Sequence, residues 1–186
     1  MNVSTPKFRV SFPNVFRPRK NEKNGKEEYS LMALFPKGAD LSALTKACQE
    51  ACEKKWGKDS SKWPKGLRSP IRDQAEREKE GVLPPECVAG AKFINMKSNL
   101  KPGVVDQNVQ VIMEESEFYA GCYARASLSA YAYDQQGNKG VAFGLRNVQK
   151  MGDGEPLGTI SRPEDDFKPI EGAGTPAGAS SESIFQ

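Results

Sequence analysis

The chain has 186 residues, 37% of them hydrophobic and 27% charged, with four cysteines and no histidine. That length suits one domain with a tail, and the apolar fraction supports a modest core. The missing histidine excludes Ser-His-Asp and Cys-His nucleophiles and HExxH zinc sites; the sequence also holds no P-loop motif and no 18-residue apolar run that could span a membrane.

Charge divides the chain. Residues 1–150 hold 25 Lys and Arg against 17 Asp and Glu, a net +8, whereas residues 151–186 hold 2 against 7, a net −5. A basic body with an acidic tail suggests a polyanionic partner and a tethered competitor for it. The opening MNVSTPKFRV lacks the apolar stretch of a signal peptide, so a cytoplasmic location is expected. Reduced Cys48, Cys52, Cys87 and Cys122 fit that compartment.

In chain order, KFRVSFP alternates Phe8, Val10 and Phe12 and predicts a strand ending near Pro13. The polar stretch 17–28 reads as a long basic loop with a turn at Asn24-Gly25, and EYSLMALFPK reads as a second strand. Residues 40–56 predict a helix capped by Asp40, with Leu41, Leu44, Cys48, Ala51 and Cys52 on one face and Gly57 as the stop. Cys48 and Cys52 are read there as small core residues, not as metal ligands. Residues 57–81 read as an exposed connection with a helical turn near 74–79. Strands are expected at 91–99 and 109–113, with a turn at KPGVVD between them.

Residues 119–134, YAGCYARASLSAYAYD, alternate most clearly. Cys122, Ala124, Ala126, Leu128, Ala130 and Ala132 fall on one face of a strand. Tyr123, Arg125, Ser127, Ser129, Tyr131 and Tyr133 fall on the other. Gly121 could permit a bulge before it. DQQGNKG closes a hairpin, with Gly137 and Asn138 able to take positive φ, and VAFGLRNVQK returns. Beyond Met151 the sequence becomes a low-complexity acidic tail. Six or so strands and one long helix point to a mainly β fold: an OB-like, partly closed barrel with an inserted helix over residues 1–150, followed by a flexible tail over 151–186. A β-sandwich is the alternative.

The Tyr face has two readings, because alternation defines two faces without saying which is wet. It could be the barrel interior, or a surface on which bases stack. An unpaired charge in a tight interior is costly, so Arg125 favours the second reading. Tyr123, Arg125, Tyr131 and Tyr133 would then form the platform. Phosphates would be met by Arg17, Arg19 and Lys20 in one loop, Lys97 and Lys101 in another, and Arg146 and Lys150 on the returning strand.

The segments SFPNVFRP, YSLMALFPKG, KW, PIRD, AKFINMKS, KPGVVD, the block from Tyr119 to Lys150, and RPEDDF follow one another in this order. Together they resemble a family of tailed-phage single-stranded-DNA-binding proteins, once catalogued as a domain of unknown function and named for an Enterobacter phage protein. The resemblance runs from about residue 7 to 167 and is most specific in the Tyr119–Lys150 block. It implies an OB-fold, ssDNA binding in phage replication or recombination inside the infected bacterium, and an acidic C-terminal region.

The expected protein is therefore non-catalytic, without metal or cofactor, and sequence-tolerant in binding ssDNA. Glu164, Asp165, Asp166, Phe167, Ile184 and Phe185 in the tail would occupy the cationic groove or engage a replication or recombination protein; an inert, solubilising tail is the alternative. A homodimer is compatible with the sequence. Two other functions compete with this reading. One is a metal-dependent nuclease using Asp106, Glu114, Glu115 or Glu117; the other is a binder of RNA or duplex DNA.

Overall fold

The computed structural model describes residues 2–82 and 85–158. The tail residues Glu164, Asp165, Asp166, Phe167, Ile184 and Phe185 lie outside the described residues. Within them run β1 (Asn2–Ser4), β2 (Phe8–Lys20), β3 (Glu27–Leu34), α1 (Ser42–Trp56), β4 (Arg72–Asp73), β5 (Lys92–Ser98), β6 (Gly103–Val105), β7 (Tyr123–Gln135) and β8 (Asn138–Gly152). Short 3-10 segments occur at Ser60–Lys62, Gln74–Glu80 and Glu115–Glu117.

Strand pairing closes a ring. β2 pairs with β3, β3 with β5, β5 with β8, β8 with β7, and β7 returns to β2. All these pairs are antiparallel except β5–β8, which is parallel. The closing seam is short, formed by Phe8↔Ala124 and Arg9↔Tyr123. The result is a partly closed five-stranded barrel of the OB-like kind, not a sandwich. β1 and β6 extend the sheet beyond the ring on β7 and β8.

The ring explains which residues are dry. Val10, Leu31, Ala33, Ile94, Met96 and Phe143 point inward and join Ala124, Ala126 and Leu128 of β7 in one buried cluster. The small side chains of β7 suit a strand that curves tightly around this core. Helix α1 contributes Leu44 to the same cluster and lies against β1, β7 and β8. Its first residue is Ser42, with Leu41 at the cap position, so Asp40 does not cap it directly; the Asp40 carboxylate accepts instead from the Ser42 N–H at 3.0 Å. Gly57 ends the helix with a positive φ of 90°, but its ψ of 169° lies outside the left-handed helical conformation expected of the stop. Cys52 is buried and Cys48 half-buried against the core.

Several expectations change. β2 does not stop at Pro13; it continues to Lys20 through register shifts between Ser11 and Asn14 and between Asn14 and Arg19. Pro13 and Pro18 lie within those two intervals, and proline, having no N–H to give a ladder, is tolerated at such irregularities. The basic stretch 17–28 is therefore mostly the end of a long hairpin arm, in which Arg19 pairs with Glu28 and Lys20 with Glu27. Only the turn around Asn21–Lys26 is loop. KPGVVD contains the strand β6, paired in parallel with β8. VQVIM, by contrast, forms one isolated bridge, Val105↔Val111, with Ile112 buried and Val109, Val111 and Met113 exposed. In the β7–β8 turn the positive φ angles belong to Gln136 and Gly137, not Asn138.

β8 continues past Lys150 to Gly152, and the chain beyond it stays on the body. Tyr119 Oη donates to Asp153 and Gly154 oxygens at 3.0 Å, and the Leu157 N–H donates to the Ala120 carbonyl at 2.9 Å. Gly121, at φ 111°, makes room for this return: a Cβ there would lie 2.1 Å from the Glu155 carbonyl oxygen. Among the described residues no helix is long and apolar enough to cross a membrane.

Candidate nucleic-acid interface

Closure of the barrel decides which β7 face is wet. Cys122, Ala124, Ala126 and Leu128 are buried, so Tyr123, Arg125, Ser127, Ser129, Tyr131 and Tyr133 face outward. Directly paired residues share a face, and the register traces one outward row across the ring: Ser129↔Gly144, Gly144↔Lys97, Lys97↔Ser30, Ser30↔Asn14. A second row carries Tyr131↔Ala142 on one side and Asn95↔Met32 on the other. The floor between the β7–β8 arm and the β2–β3 arm is thus small or polar, and open.

Tyr131 stands on this floor at 50% exposure, and a Cβ on Gly144 would sit 3.8 Å from its ring. Ser129 is what excludes a side chain at Gly144, since a Cβ there would lie 2.8 Å from its Oγ. Partial burial, with the charge of Glu28 and the neighbouring Tyr133, raises the Tyr131 phenol above its ordinary pKa of 10.0. The ring therefore stays neutral through the physiological range and does not repel phosphate. Tyr133 lies next along the same face; its hydroxyl would be 2.9 Å from a Cβ on Gly140. Arg68, which bridges to Gly140 in parallel, is exposed beside it.

Glu28 organises the tip of the β2–β3 arm. It accepts from Asn21 at 2.8 Å, Asn24 at 3.2 Å and Lys97 at 3.1 Å. Burial works to raise its pKa, but those three donors outweigh it and hold the carboxyl below its ordinary value. Lys97 is thus on the open face yet already paired. Arg17 is paired with Glu115 at 2.7 Å, whereas Arg19 and Lys20 are exposed and in no ion pair among the described residues. Lys101 is exposed just past β5.

The remaining expected residues lie elsewhere. Tyr123 is eight residues from Tyr131 along β7, roughly 27 Å. The Lys7 ammonium lies over its ring at 5.4 Å, and a Cβ on Gly154 would come within 2.9 Å of its edge. Arg125 donates to Gln149 at 2.8 Å on a separate patch with Ser127 and Asn147. Arg146 is exposed at the register shift between Ser127 and Leu128. Lys150 does not reach out as a groove cation. Its ammonium pairs with Asp153 at 2.7 Å and lies 5.3 Å from the Tyr119 ring. Burial disfavours that charge, yet Asp153 more than compensates and the pKa rises. The single Tyr platform expected along β7 is therefore divided, with Tyr131 and Tyr133 together and Tyr123 and Arg125 apart.

Two of the four acids considered for nuclease chemistry are engaged otherwise. The Asp106 carboxylate accepts from the Asn108 and Gln110 N–H groups as a turn residue, and Glu115 pairs with Arg17. Among the described residues no group of three or more Cys, Asp and Glu is placed to hold a metal ion.

One further aromatic residue, which the sequence pattern places in a strand and not at the interface, stands at the other wall. Phe12 occupies the β2 bulge at φ 47° with 54% of its surface exposed. Beside it Arg77 is 2% exposed, its guanidinium 5.8 Å from the Phe12 ring and 5.6 Å from the Phe93 ring.

Comparison with known proteins gives this geometry its relatives. The family model described as Enterobacter phage Enc34, ssDNA-binding protein, matches residues 1–176. The chain belongs to this family. Putative protein p50 of Acyrthosiphon pisum secondary endosymbiont phage 1 is 30% identical over 164 residues, covering 83% of this chain and 85% of that one. The bacteriophage Enc34 single-stranded DNA-binding protein in complex with ssDNA superposes with a TM-score of 0.68 at 23% identity, over 84% of this chain and 89% of that one. Gp2.5, a single-stranded DNA-binding protein of bacteriophage T7, gives 0.62 at 12% identity, over 96% and 99%. At these identities the structural likenesses speak to the fold.

Proposed function

We propose that this family member binds single-stranded DNA with little sequence preference during phage DNA replication or recombination, in the cytoplasm of the infected host, and that it does so without catalysis or cofactor. The observation that carries the reading is the open outward face of the barrel. Its floor of Gly144, Ala142 and Ser30 lets a strand approach closely, Tyr131 and Tyr133 offer rings for stacking, and Arg19, Lys20 and Lys101 offer unpaired cations at its margins. Stacking is indifferent to base identity, because every base has a π-face, and phosphate neutralisation is indifferent to sequence.

The acidic tail fits the same reading as a tethered competitor for the face, at high effective concentration, that DNA displaces. Once displaced, its acidic cluster at 164–166 and the Ile184-Phe185 pair become available to a replication or recombination protein. A competition titration tests the function. Labelled oligo(dT) is displaced by unlabelled ssDNA, duplex DNA and RNA at two salt concentrations, with magnesium present to reveal cleavage. The expected result is tightest competition by ssDNA, with affinity falling as salt rises and the oligonucleotide intact. Affinity indifferent to salt, or preference for duplex, would overturn it.

A further inference from the structure

We infer that Phe12 is a base-stacking residue of the ssDNA face, on the wall opposite Tyr131, and that the buried Arg77 is the positioning residue that holds its ring there. The inference rests on the ssDNA reading and adds a site within it.

Four observations converge on Phe12. A bulky residue at φ 47° sits in a conformation that L side chains rarely adopt, and such strain persists only where the surroundings impose it. The surroundings here impose it from both sides: Asn14 Nδ2 donates to the Phe12 carbonyl and to Ser30 Oγ, each at 3.2 Å, and Ser11 Oγ donates to Glu86 at 2.6 Å. The strain does not bury the ring, which is 54% exposed. Core packing therefore does not account for it.

The second observation is direction. Phe93 lies on the outward side of β5, in alternation with the inward Ile94 and Met96, and it is covered by the segment carrying Arg77. Since the Arg77 guanidinium contacts both Phe12 and Phe93, the Phe12 ring stands on that same outward side. Third, its place is the border between covered and open sheet. Leu34 and Phe93 are roofed, while Met32, Asn95, Ser30 and Lys97 beside them on β3 and β5 are accessible. From β2 to β7 around the ring is four strand spacings, roughly 19 Å, so Phe12 and Tyr131 flank the floor.

The fourth observation is the cost carried by Arg77. Its Nη1 donates to the Glu86 carbonyl at 2.9 Å, but Nε is buried without a hydrogen-bond partner among the described residues. A buried guanidinium with an unmet donor is expensive, and what it gains besides Glu86 is the two ring faces. It cannot reach DNA itself. It backs one side of the Phe12 ring and leaves the other side for a base.

The test compares oligo(dT) binding and thermal melting for the full-length protein, three single variants and one double variant. Phe12→Ala should weaken binding about 5- to 150-fold, the range of one lost stack, while leaving the melting transition cooperative and near its original temperature. Phe12→Trp should keep the affinity and add an indole emission, absent from the parent signal of Trp56 and Trp63, that oligo(dT) quenches. Arg77→Met should weaken binding, and combining it with Phe12→Ala should add nothing further, because both remove one stack. If Arg77→Met does not fold, the two Phe12 variants decide. Binding of Phe12→Ala within twofold of the parent, or an unquenched Phe12→Trp, overturns the inference while the ssDNA reading stands. Failure of the parent itself to bind oligo(dT) overturns both.

Discussion

Truncating Tyr131 to Ala should separate binding from stability. The ring is half exposed, and no hydrogen bond of its hydroxyl is present among the described residues. A tyrosine carries roughly 200 Å² of side-chain surface. Half of that, at ~25 cal/mol per Å², bounds the loss of stability at about 2.5 kcal/mol. A chain of this size shifts by about 2–4 °C per kcal/mol, so the melting temperature should fall by about 10 °C at most. A core aromatic would cost about 3–5 kcal/mol and more of the transition. Loss of one stacked base, on the other hand, should cost about 1–3 kcal/mol of binding, which raises Kd about 5- to 150-fold. Anisotropy titration of labelled oligo(dT) at 25 °C, with calorimetric melts of the same samples, reads both. Tyr123→Ala is the internal comparison: flanked by Lys7 and Gly154 and far along β7, it should leave Kd within about threefold. Equal losses for the two variants, or unchanged affinity for Tyr131→Ala, would refute the division of the Tyr face.

Removing residues 159–186, which carry 2 Lys and Arg against 5 Asp and Glu, should tighten ssDNA binding most at low salt, where screening is weak; unchanged affinity there means the tail does not occupy the face. Gly121→Ala should cost more than about 2 kcal/mol, since its φ of 111° and the Glu155 carbonyl both exclude a Cβ; a melting temperature equal to the parent's would contradict the close return of 153–157. Burial, with Cys52 beside it, pushes the Cys48 thiol from 9.0 up to about 12. A folded-state pKa above the unfolded one means that its contribution to stability is complete below pH 9 and declines as pH rises toward 12. Native Cys48 should accordingly resist iodoacetamide at pH 8 while the unfolded chain reacts, as read by mass spectrometry; rapid native labelling would contradict its burial.

The strands around residue 130 were legible because a period of two survives in a half-buried hairpin. Which face was wet was not, since that depends on the seam between Phe8–Arg9 and Tyr123–Ala124, a pairing across more than a hundred residues. The prolines misled in a physical way. Pro13 and Pro18 remove ladder donors and read as stops, yet the structure absorbs them as register shifts and extends the arm. KPGVVD has turn chemistry at Pro102-Gly103, and its strand exists through a parallel pairing to β8 that local pattern does not carry. Phe12 shares the alternation of Phe8 and Val10 and reads as a core residue; the bulge turns it out. Arg77 sits in a charged run and reads as solvated, although the fold buries it. Lys150 reads as a groove cation, but Asp153, three residues on, claims it.

Photo-crosslinking with 5-iodouracil-substituted oligo(dT), followed by mass spectrometry of the full-length protein, locates the bound DNA. Adducts are expected on the outward aromatic residues Tyr131 and Tyr133, with Phe12 on the facing wall, and should be lost in excess unlabelled ssDNA. Adducts confined to Tyr119 and Tyr123, with none on the face between the two hairpin arms, would contradict binding at that face.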